Sequence, residues 1–426
     1  MVLHSPLRQP ARPRRPTAPA CLAAGLLTLA VAASAQGISP GELPKEGYKL
    51  PGGFEPVLHL RSYYFDQESL AGDASTAWAL GGWAGLRSPW WGDTLQLGVV
   101  GYTSQRLYGP EDKSGTLLLQ PDQDAINVIG LAWAALRFAG QTFTAYRQLI
   151  DRPFINLQDN RMVPNTFEAY TLSGGAGEFK YTGGYIAKIK NRDSERFVSM
   201  SQDAGGSGSN KGVYFAAADW DFMKDGRLRA DLQYGVDVYN TFYVDARLPF
   251  ELGESTRLTF GAQYFPQRSV GDAQIGDFST WGAGIRGALT HGALGVQLMV
   301  TRTGTGFDSQ NPYGDSPSYL NEQQVPFNTA GERAWGLGAS IDFASLGAPG
   351  LSASAVYAAG SHRIDDASGA PLPDRNETDL RADYRFAKGS ALQGLWITLR
   401  YSWLRQDGSP QTQTQARVIV NYPLSF

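Results

Sequence analysis

Segments of about ten residues, in which apolar and polar side chains alternate, recur along most of this chain. The last one is the clearest: in QARVIVNYPLSF, Val418, Val420 and Tyr422 share one parity, and Arg417 and Asn421 share the other. A two-residue period predicts a β-strand with two unlike faces. Similar segments are PVLHLRSYYF, FKYTGGYIAKIK, TRLTFGAQYF, ALGVQLMVTR and LWITLRYSW. The repeated pattern predicts an all-β protein.

The connections between these segments fall into two kinds. Tight turns are predicted at 88–93, 138–141, 174–177, 223–226 and 289–292, and longer stretches at 106–125, 150–166, 191–211, 304–330 and 362–374. A generous count gives about 18 strands, and bacterial outer-membrane barrels have an even number. One connection, near Tyr239–Thr241, is tight where a long loop is expected. We therefore predict a closed antiparallel transmembrane barrel with short periplasmic turns and longer extracellular loops.

The first 35 residues are predicted to be a secretory signal peptide. Four arginines precede the apolar run ACLAAGLLTLAVAA, and residues 33–35, Ala-Ser-Ala, provide the small residues of a cleavage site. The run is shorter than the roughly 20 residues that a membrane-spanning helix needs. The single cysteine, Cys21, lies in this segment. Residues 36–426 are therefore predicted to form one barrel domain without a disulfide bond.

Composition restricts the function class. The formal net charge is −3 even with the N-terminal arginines included, which disfavours nucleic-acid binding. A mean hydropathy of −0.27 is typical of soluble proteins, but also of outer-membrane barrels, because only alternate strand residues face lipid. Tryptophans near strand ends and in turns predict interfacial girdles, namely Trp83, Trp90, Trp91, Trp133, Trp281, Trp396 and Trp403. The alternative is that these rings are core aromatics of a β-sandwich.

Inward-facing arginines are the main candidate functional residues. A barrel of about 18 strands is too wide to be filled by side chains, so its inward parity lines a water-filled channel. Apolar residues mark the outward face of the first strand and of the last three. The arginines left on the inward face are Arg61, Arg381, Arg385, Arg400 and Arg417. On neighbouring strands about 5 Å apart, they would pass a carboxylate from one guanidinium to the next. The alternative for each arginine is a structural ion pair, for example with Asp383.

Two long polar stretches, 147–168 and 303–333, are predicted to fold inward and narrow the channel. The candidate constriction residues, together with a further aromatic side chain at Tyr313, are Asp151, Arg152, Asp308, Asp315 and Tyr319. Acidic groups opposite the arginines would create a transverse field, which favours dipolar solutes such as amino acids. The alternative is that they are ordinary solvated loop residues.

Four stretches resemble the OprD family of Gram-negative outer-membrane channels. They are LRSYYFDQ, GYTSQRLYGPEDKSGTLLLQPDQD, YRQLIDRPFINLQDNRMVPNTFEAYTL and RVIVNYPLSF. The resemblance implies a monomeric 18-stranded barrel for uptake of small water-soluble nutrients, mostly carboxylates such as amino acids or organic and aromatic acids. It also implies a basic ladder and inward-folded loops. The ladder role would belong to Arg61, Arg385, Arg400 and Arg417; Arg381 and the acidic role of Asp315 are looser matches.

The resemblance also implies the partners. Phe426 would be the residue read by the barrel assembly machinery, and outer-membrane lipid and lipopolysaccharide would surround the barrel. No cofactor, metal or nucleic acid is expected. The second hypothesis is an outer-membrane barrel enzyme of the lipase or protease type, but the sequence has no G-x-S-x-G or H-E-x-x-H motif. A third hypothesis, a receptor or adhesin, would need longer loops.

Overall fold

A computed structural model describes residues 49–424, which form one antiparallel sheet closed into a barrel. The predicted signal peptide and Phe426 lie outside the described residues. The strands of the first half are β1 Glu55–Glu68, β2 Ala74–Arg87, β3 Leu95–Tyr108, β4 Ile126–Phe138, β5 Gln141–Gln148, β6 Thr166–Ala176, β7 Phe179–Lys190, β8 Val198–Ser199 and β9 Val213–Met223. Those of the second half are β10 Gly226–Gly235, β11 Tyr239–Glu251, β12 Thr256–Ser269, β13 Ser279–His291, β14 Leu294–Thr303, β15 Arg333–Asp342, β16 Leu351–Ser361, β17 Arg375–Arg385, β18 Trp396–Gln406 and β19 Gln413–Pro423.

Each long strand pairs with its neighbours in the chain, and β1 closes the ring by pairing with β19. The two-residue strand β8 only extends the end of β7, which also pairs directly with β9. The described barrel therefore has 18 spanning strands, as predicted. The described helical elements are one short helix, α1 Met200–Asp203, and 3₁₀ turns at Pro51–Gly53, Glu111–Lys113 and Phe343–Leu346.

The two rims of the barrel differ as predicted. The short-turn rim has the connections 88–94, 139–140, 177–178, 224–225, 252–255, 292–293, 343–350 and 386–395. The long-loop rim has 69–73, 109–125, 149–165, 191–212, 236–238, 270–278, 304–332, 362–374 and 407–412. The tight connection noted in the sequence is 236–238, where Asp237 has a φ of 58° and Val238 N–H donates to Gly235. The 69–73 and 407–412 connections on this rim are also short.

Alternation determines which residues face lipid. Leu399 and Tyr401 are 49% and 44% exposed on the outer face of β18, whereas the intervening parity contains buried residues such as Ser402. The same alternation holds on β14, where Leu294, Val296, Leu298 and Val300 are exposed and the residues between them are buried. No helix among residues 49–424 is long and apolar enough to cross a membrane.

Three of the predicted girdle tryptophans, Trp83, Trp133 and Trp396, face the inside of the barrel instead. The ring of Trp83 stacks on His59 with centroids 3.9 Å apart, and Trp396 meets the same histidine edge-on. Trp133 packs over Gly98, whose missing side chain leaves room for the ring. The prediction considered only how near each tryptophan lies to a strand end, whereas parity decides which face it occupies.

Two loops of the long-loop rim fill part of the barrel interior. Loop A is residues 149–165 and loop B is residues 304–332. Phe154 of loop A packs with Tyr243 and Phe265 of the barrel wall. Leu320 and Phe327 of loop B join an apolar cluster with inward residues of β14 to β18. Burial of each such side chain contributes about 1.5–3 kcal/mol, so both loops have a physical reason to fold inward.

Candidate functional site

The five predicted arginines lie on one wall of the bore, on β17, β18, β19 and β1. Arg381, Arg400 and Arg417 are register partners on adjacent strands, so they lie side by side. A second row joins Arg385 to Trp396, Asn421 and Arg61. We call the five residues Arg61, Arg381, Arg385, Arg400 and Arg417 the arginine wall. Neighbouring members of the first row are about 5 Å apart at the backbone.

Arg61 is the most constrained member of the arginine wall. It is 2% exposed and forms a salt bridge of 2.6 Å with Asp159 of loop A. It also donates to the Arg161 carbonyl at 2.6 Å and to Asn421 Oδ1 at 2.8 Å. These contacts attach loop A to β1, so Arg61 has a structural role.

Arg381 and Arg417 have partners of different charge. Arg381 pairs with Asp383 on its own strand at 2.5 Å, the arrangement given above as the structural alternative. Arg417 donates to Gln415 Oε1 at 2.6 Å and to the Gln323 carbonyl of loop B at 2.9 Å. These two partners are neutral, and Arg417 forms no salt bridge with any of residues 49–424.

Arg385 and Arg400 form no ion pair or hydrogen bond with any of residues 49–424. Arg385 is exposed to the bore and lies over the Trp396 ring, with its guanidinium carbon 5.1 Å from the ring centroid. Arg400 has a buried Nε–H without an acceptor. A guanidinium without a carboxylate partner can bind an anionic solute, and a paired one binds it less well.

Loop A crosses the bore from β9 and β10 to β1. At one end Arg152 forms salt bridges with Asp219 at 2.5 Å and Asp231 at 2.7 Å. At the other end Asp159 pairs with Arg61. The candidate constriction residue Arg152 therefore anchors loop A to the wall.

Loop B crosses the bore in another direction. Tyr319 donates its hydroxyl proton to Asp245 of β11 at 2.7 Å. Farther along loop B, Gln323 N–H donates to Asp379 of β17 at 2.8 Å. Glu377 accepts from the next two backbone amides, Gln324 at 2.6 Å and Val325 at 3.0 Å. Loop B is therefore anchored to two separate walls.

The two loops contact each other within the barrel. Gln158 of loop A donates to Asp315 Oδ1 of loop B at 2.7 Å, and the Asp315 amide donates to Asn156 Oδ1 at 2.8 Å. Asn156 N–H also donates to the Tyr313 carbonyl at 3.2 Å. Burial raises the pKa of Asp315 to about 6, although the nearby cations Arg192, Arg161 and Arg417 oppose that rise. The loop junction therefore has an acidic group near the arginine wall.

The remaining constriction candidates lie elsewhere. Asp308 accepts from the Ala330 amide of its own loop at 2.6 Å, and burial raises its pKa to about 6. Asp151 is exposed, and Tyr313 is buried, its ring stacked on that of Tyr239. Of the candidates, Asp315 lies where the two loops meet, Arg152 and Tyr319 anchor their loops to the wall, and Asp308 lies away from the contact between the loops.

Sequence reasoning missed a carboxyl cluster that anchors loop B. Glu377 and Asp379 lie on the inward parity of β17, and Glu322 of loop B is buried beside them. Burial and the neighbouring Asp379 raise the pKa of Glu322 well above its ordinary value. The acidic residues at alternate positions before Arg381 were a signal that could have revealed this cluster.

No group of three or more His, Cys, Asp or Glu suited to a metal ion occurs among the described residues.

Known proteins share the fold of this barrel. Porin D of Pseudomonas aeruginosa is 26% identical over 87% of this chain and 90% of its own length. The crystal structure of P. aeruginosa OpdK with vanillate superposes with a TM-score of 0.78 at 23% identity, over 88% of this chain and 99% of that one. P. aeruginosa OccK2 (OpdF) in complex with glucuronate gives 0.74 at 20% identity, over 89% and 100%.

The family assignment rests on a match that spans almost the whole described barrel. The model of the family described as "outer membrane porin, OprD family" matches residues 53–426. These relatives are porins, and the alternative of a barrel enzyme gains no support from them. The chain belongs to the OprD family of outer membrane porins.

Proposed function

We propose that this porin selectively passes small water-soluble solutes bearing a carboxylate, which move along the arginine wall. The observation that carries the proposal is the row of Arg381, Arg400 and Arg417 on adjacent strands, with Arg385 next to it. Arg385 and Arg400 lack an ion pair within residues 49–424, and Arg417 has neutral partners.

The spacing of these groups suits diffusion better than tight binding. A carboxylate accepts two hydrogen bonds from one guanidinium, and the next arginine lies on the neighbouring strand, about 5 Å away at the backbone. A solute can therefore form its next contact before it loses the last one. Conduction requires sites that attract a solute without trapping it.

Loops A and B give the arginine wall its selectivity. Their contact through Asp315 and Gln158 narrows the bore, so a solute must pass close to the wall. Asp315 adds an acidic group at this loop contact, near the arginine wall. We infer that solutes with a carboxylate are preferred over neutral solutes of the same size. Vanillate and glucuronate, which accompany OpdK and OccK2 in their crystal structures, are both carboxylates and support this solute class.

The proposal is tested by benzoate flux into liposomes that contain the purified barrel. The double variant Arg385→Gln/Arg400→Gln should slow benzoate flux about tenfold, because two charge-assisted contacts are lost, and leave the flux of an uncharged solute of similar size unchanged. The control variant Arg268→Gln/Arg405→Gln removes two exposed arginines from the outer face of β12 and β18 and should behave as wild type. Equal benzoate flux in both variants would overturn the proposal.

A further inference from the structure

A second group of inward arginines lies on the far side of the bore, on β10 to β13. It consists of Arg227, Arg229, Arg247, Arg257 and Arg286. Three of them are paired with carboxylates: Arg227 with Asp221 at 2.6 Å, Arg229 with Asp219 at 2.7 Å, and Arg257 with Glu251 at 2.5 Å and Asp225 at 3.0 Å. These three arginines are neutralised where they lie.

Arg247 and Arg286 differ from the other three. Neither forms a salt bridge with a described residue, and each has a buried Nε–H without an acceptor there. A buried donor without an acceptor costs about 1–3 kcal/mol, so both positions favour an added acceptor. The charged groups that act on Arg247 are Arg286, Asp225, Arg257 and Arg227. Two of those neighbours, Asp225 and Arg257, are already paired with each other.

Backbone register brings the two guanidiniums to one place. Arg247 of β11 is opposite Gly261 of β12, which in turn is opposite Arg286 of β13. The two arginine Cα atoms are therefore two strand spacings apart, about 10 Å. Because Gly261 has no side chain, none from β12 separates the two arginines, and both long side chains can reach one anion on the short-turn side of Tyr319.

Loop B covers this place from the long-loop side. The Arg286 guanidinium lies 4.8 Å from the centroid of the Tyr319 ring. A Cβ atom on Gly261 would lie 2.7 Å from the Tyr319 hydroxyl oxygen and 3.7 Å from Arg286 Nε. The Tyr319 hydroxyl donates to Asp245, so the acidic residue nearest to Arg247 on β11 is held by loop B.

We propose that Arg247 and Arg286 form a second anion-binding site, on the short-turn side of loop B, which takes one carboxylate group of a small solute. The two unpartnered Nε–H groups supply the donors, and the bound anion relieves the repulsion between two neighbouring guanidiniums. The site rests on the proposed function, since it gives a solute that has left the arginine wall, or has arrived from the periplasm, a second contact.

Single-channel recording in a planar bilayer tests this site, with benzoate as the probe added on the short-turn side. In wild type, benzoate should reduce the potassium chloride current. In Arg247→Gln/Arg286→Gln the half-blocking concentration should rise about tenfold, as two charge-assisted contacts are lost. The matched control Arg229→Gln removes an arginine of the same wall that is already paired with Asp219 and is not among the groups acting on Arg247, and should change this concentration less than about twofold.

Gly261→Ala provides a test that keeps both arginines. Its methyl group would displace the Tyr319 side chain, whose hydroxyl holds Asp245. The half-blocking concentration of benzoate should therefore also rise, but by less than in the double variant. One outcome is that benzoate blocks the Arg247→Gln/Arg286→Gln channel at the wild-type concentration while Arg385→Gln/Arg400→Gln slows benzoate flux. In that case the proposal of a second site is wrong and the proposed function stands. If benzoate neither blocks nor permeates the wild-type channel, the proposed function fails as well.

Discussion

The arginine wall and the wall of β10 to β13 both contain arginines that are paired with carboxylates and arginines that are not. On β10 to β13, Arg227, Arg229 and Arg257 are paired with carboxylates, and Arg247 and Arg286 are not. On the arginine wall, Arg61 and Arg381 are paired, and the other three are not. Parity alone therefore does not assign a role to an inward arginine. The role of an inward arginine depends on whether a carboxylate lies within salt-bridge distance and on whether a loop contacts the arginine.

Arg61 and Arg400 show this contrast most sharply. Both face the bore from neighbouring parts of one wall, but Arg61 is buried under loop A with Asp159, whereas Arg400 forms no salt bridge with any of residues 49–424 and the carboxyl groups of Asp379 and Asp383 act on it from beyond that distance. We expect substitution of Arg61 to affect stability and substitution of Arg400 to affect transport. The predictions below test this division, beginning with the largest effect.

Arg61→Gln should lower the free energy of unfolding by about 3 kcal/mol, because it leaves the buried Asp159 carboxylate without its partner. Urea unfolding of the refolded barrel in detergent micelles measures the change. Arg400→Gln serves as the control and should lose less than about 1 kcal/mol, since it breaks no ion pair. Equal losses in the two variants would remove the distinction between structural and transporting arginines.

Glu377→Gln should weaken the attachment of loop B by about 2 kcal/mol, because Gln324 N–H and Val325 N–H donate to different carboxyl oxygens of Glu377 and an amide group has only one oxygen to accept. Hydrogen exchange of the amides in 320–326 should become about 30-fold faster, the equivalent of that free energy. The control Asp374→Asn, an exposed residue beside the same strand, should leave exchange unchanged. Unchanged exchange in Glu377→Gln would mean that other contacts hold loop B.

Asp315 should make ion selectivity depend on pH. With its pKa raised to about 6, it is ionised at pH 7.5 and neutral at pH 5, so anion preference should increase as the pH falls. Reversal potentials in a potassium chloride gradient measure this shift, and Asp315→Asn should abolish most of it. Asp308, whose pKa is also about 6, lies away from the loop junction, so Asp308→Asn should keep the shift. If Asp308→Asn abolishes the shift and Asp315→Asn keeps it, Asp308 is the residue that makes ion selectivity depend on pH.

Arg381→Gln should have the smallest effect on stability. Its pair with Asp383 is partly exposed, with side chains 30% and 19% accessible, and such pairs contribute less than about 1 kcal/mol. Urea unfolding measured alongside Arg61→Gln gives the comparison directly. A loss above about 2 kcal/mol would indicate that Arg381 supports the wall through more than its pair with Asp383.

The fold and the arginine wall could be predicted because they depend on local periodicity. Alternation fixes the face of each strand residue, and a closed barrel requires β19 to pair with β1, which brings Arg417 near Arg61. The loop anchors could not be predicted, because contacts such as Gln323 N–H to Asp379 join distant residues and leave no repeating pattern. Arg247 and Arg286 lie on a predictable parity, but their lack of a carboxylate is a property of the folded barrel.

The most direct measurement is the anomalous scattering of bromine from crystals of this porin soaked with 4-bromobenzoate. We expect a bromine site whose carboxylate contacts Arg400 or Arg385 on the arginine wall, and the loss of that site in Arg385→Gln/Arg400→Gln. Bromine sites that avoid the arginine wall, or that persist unchanged in the variant, would contradict the claim that these guanidiniums carry carboxylates through the bore.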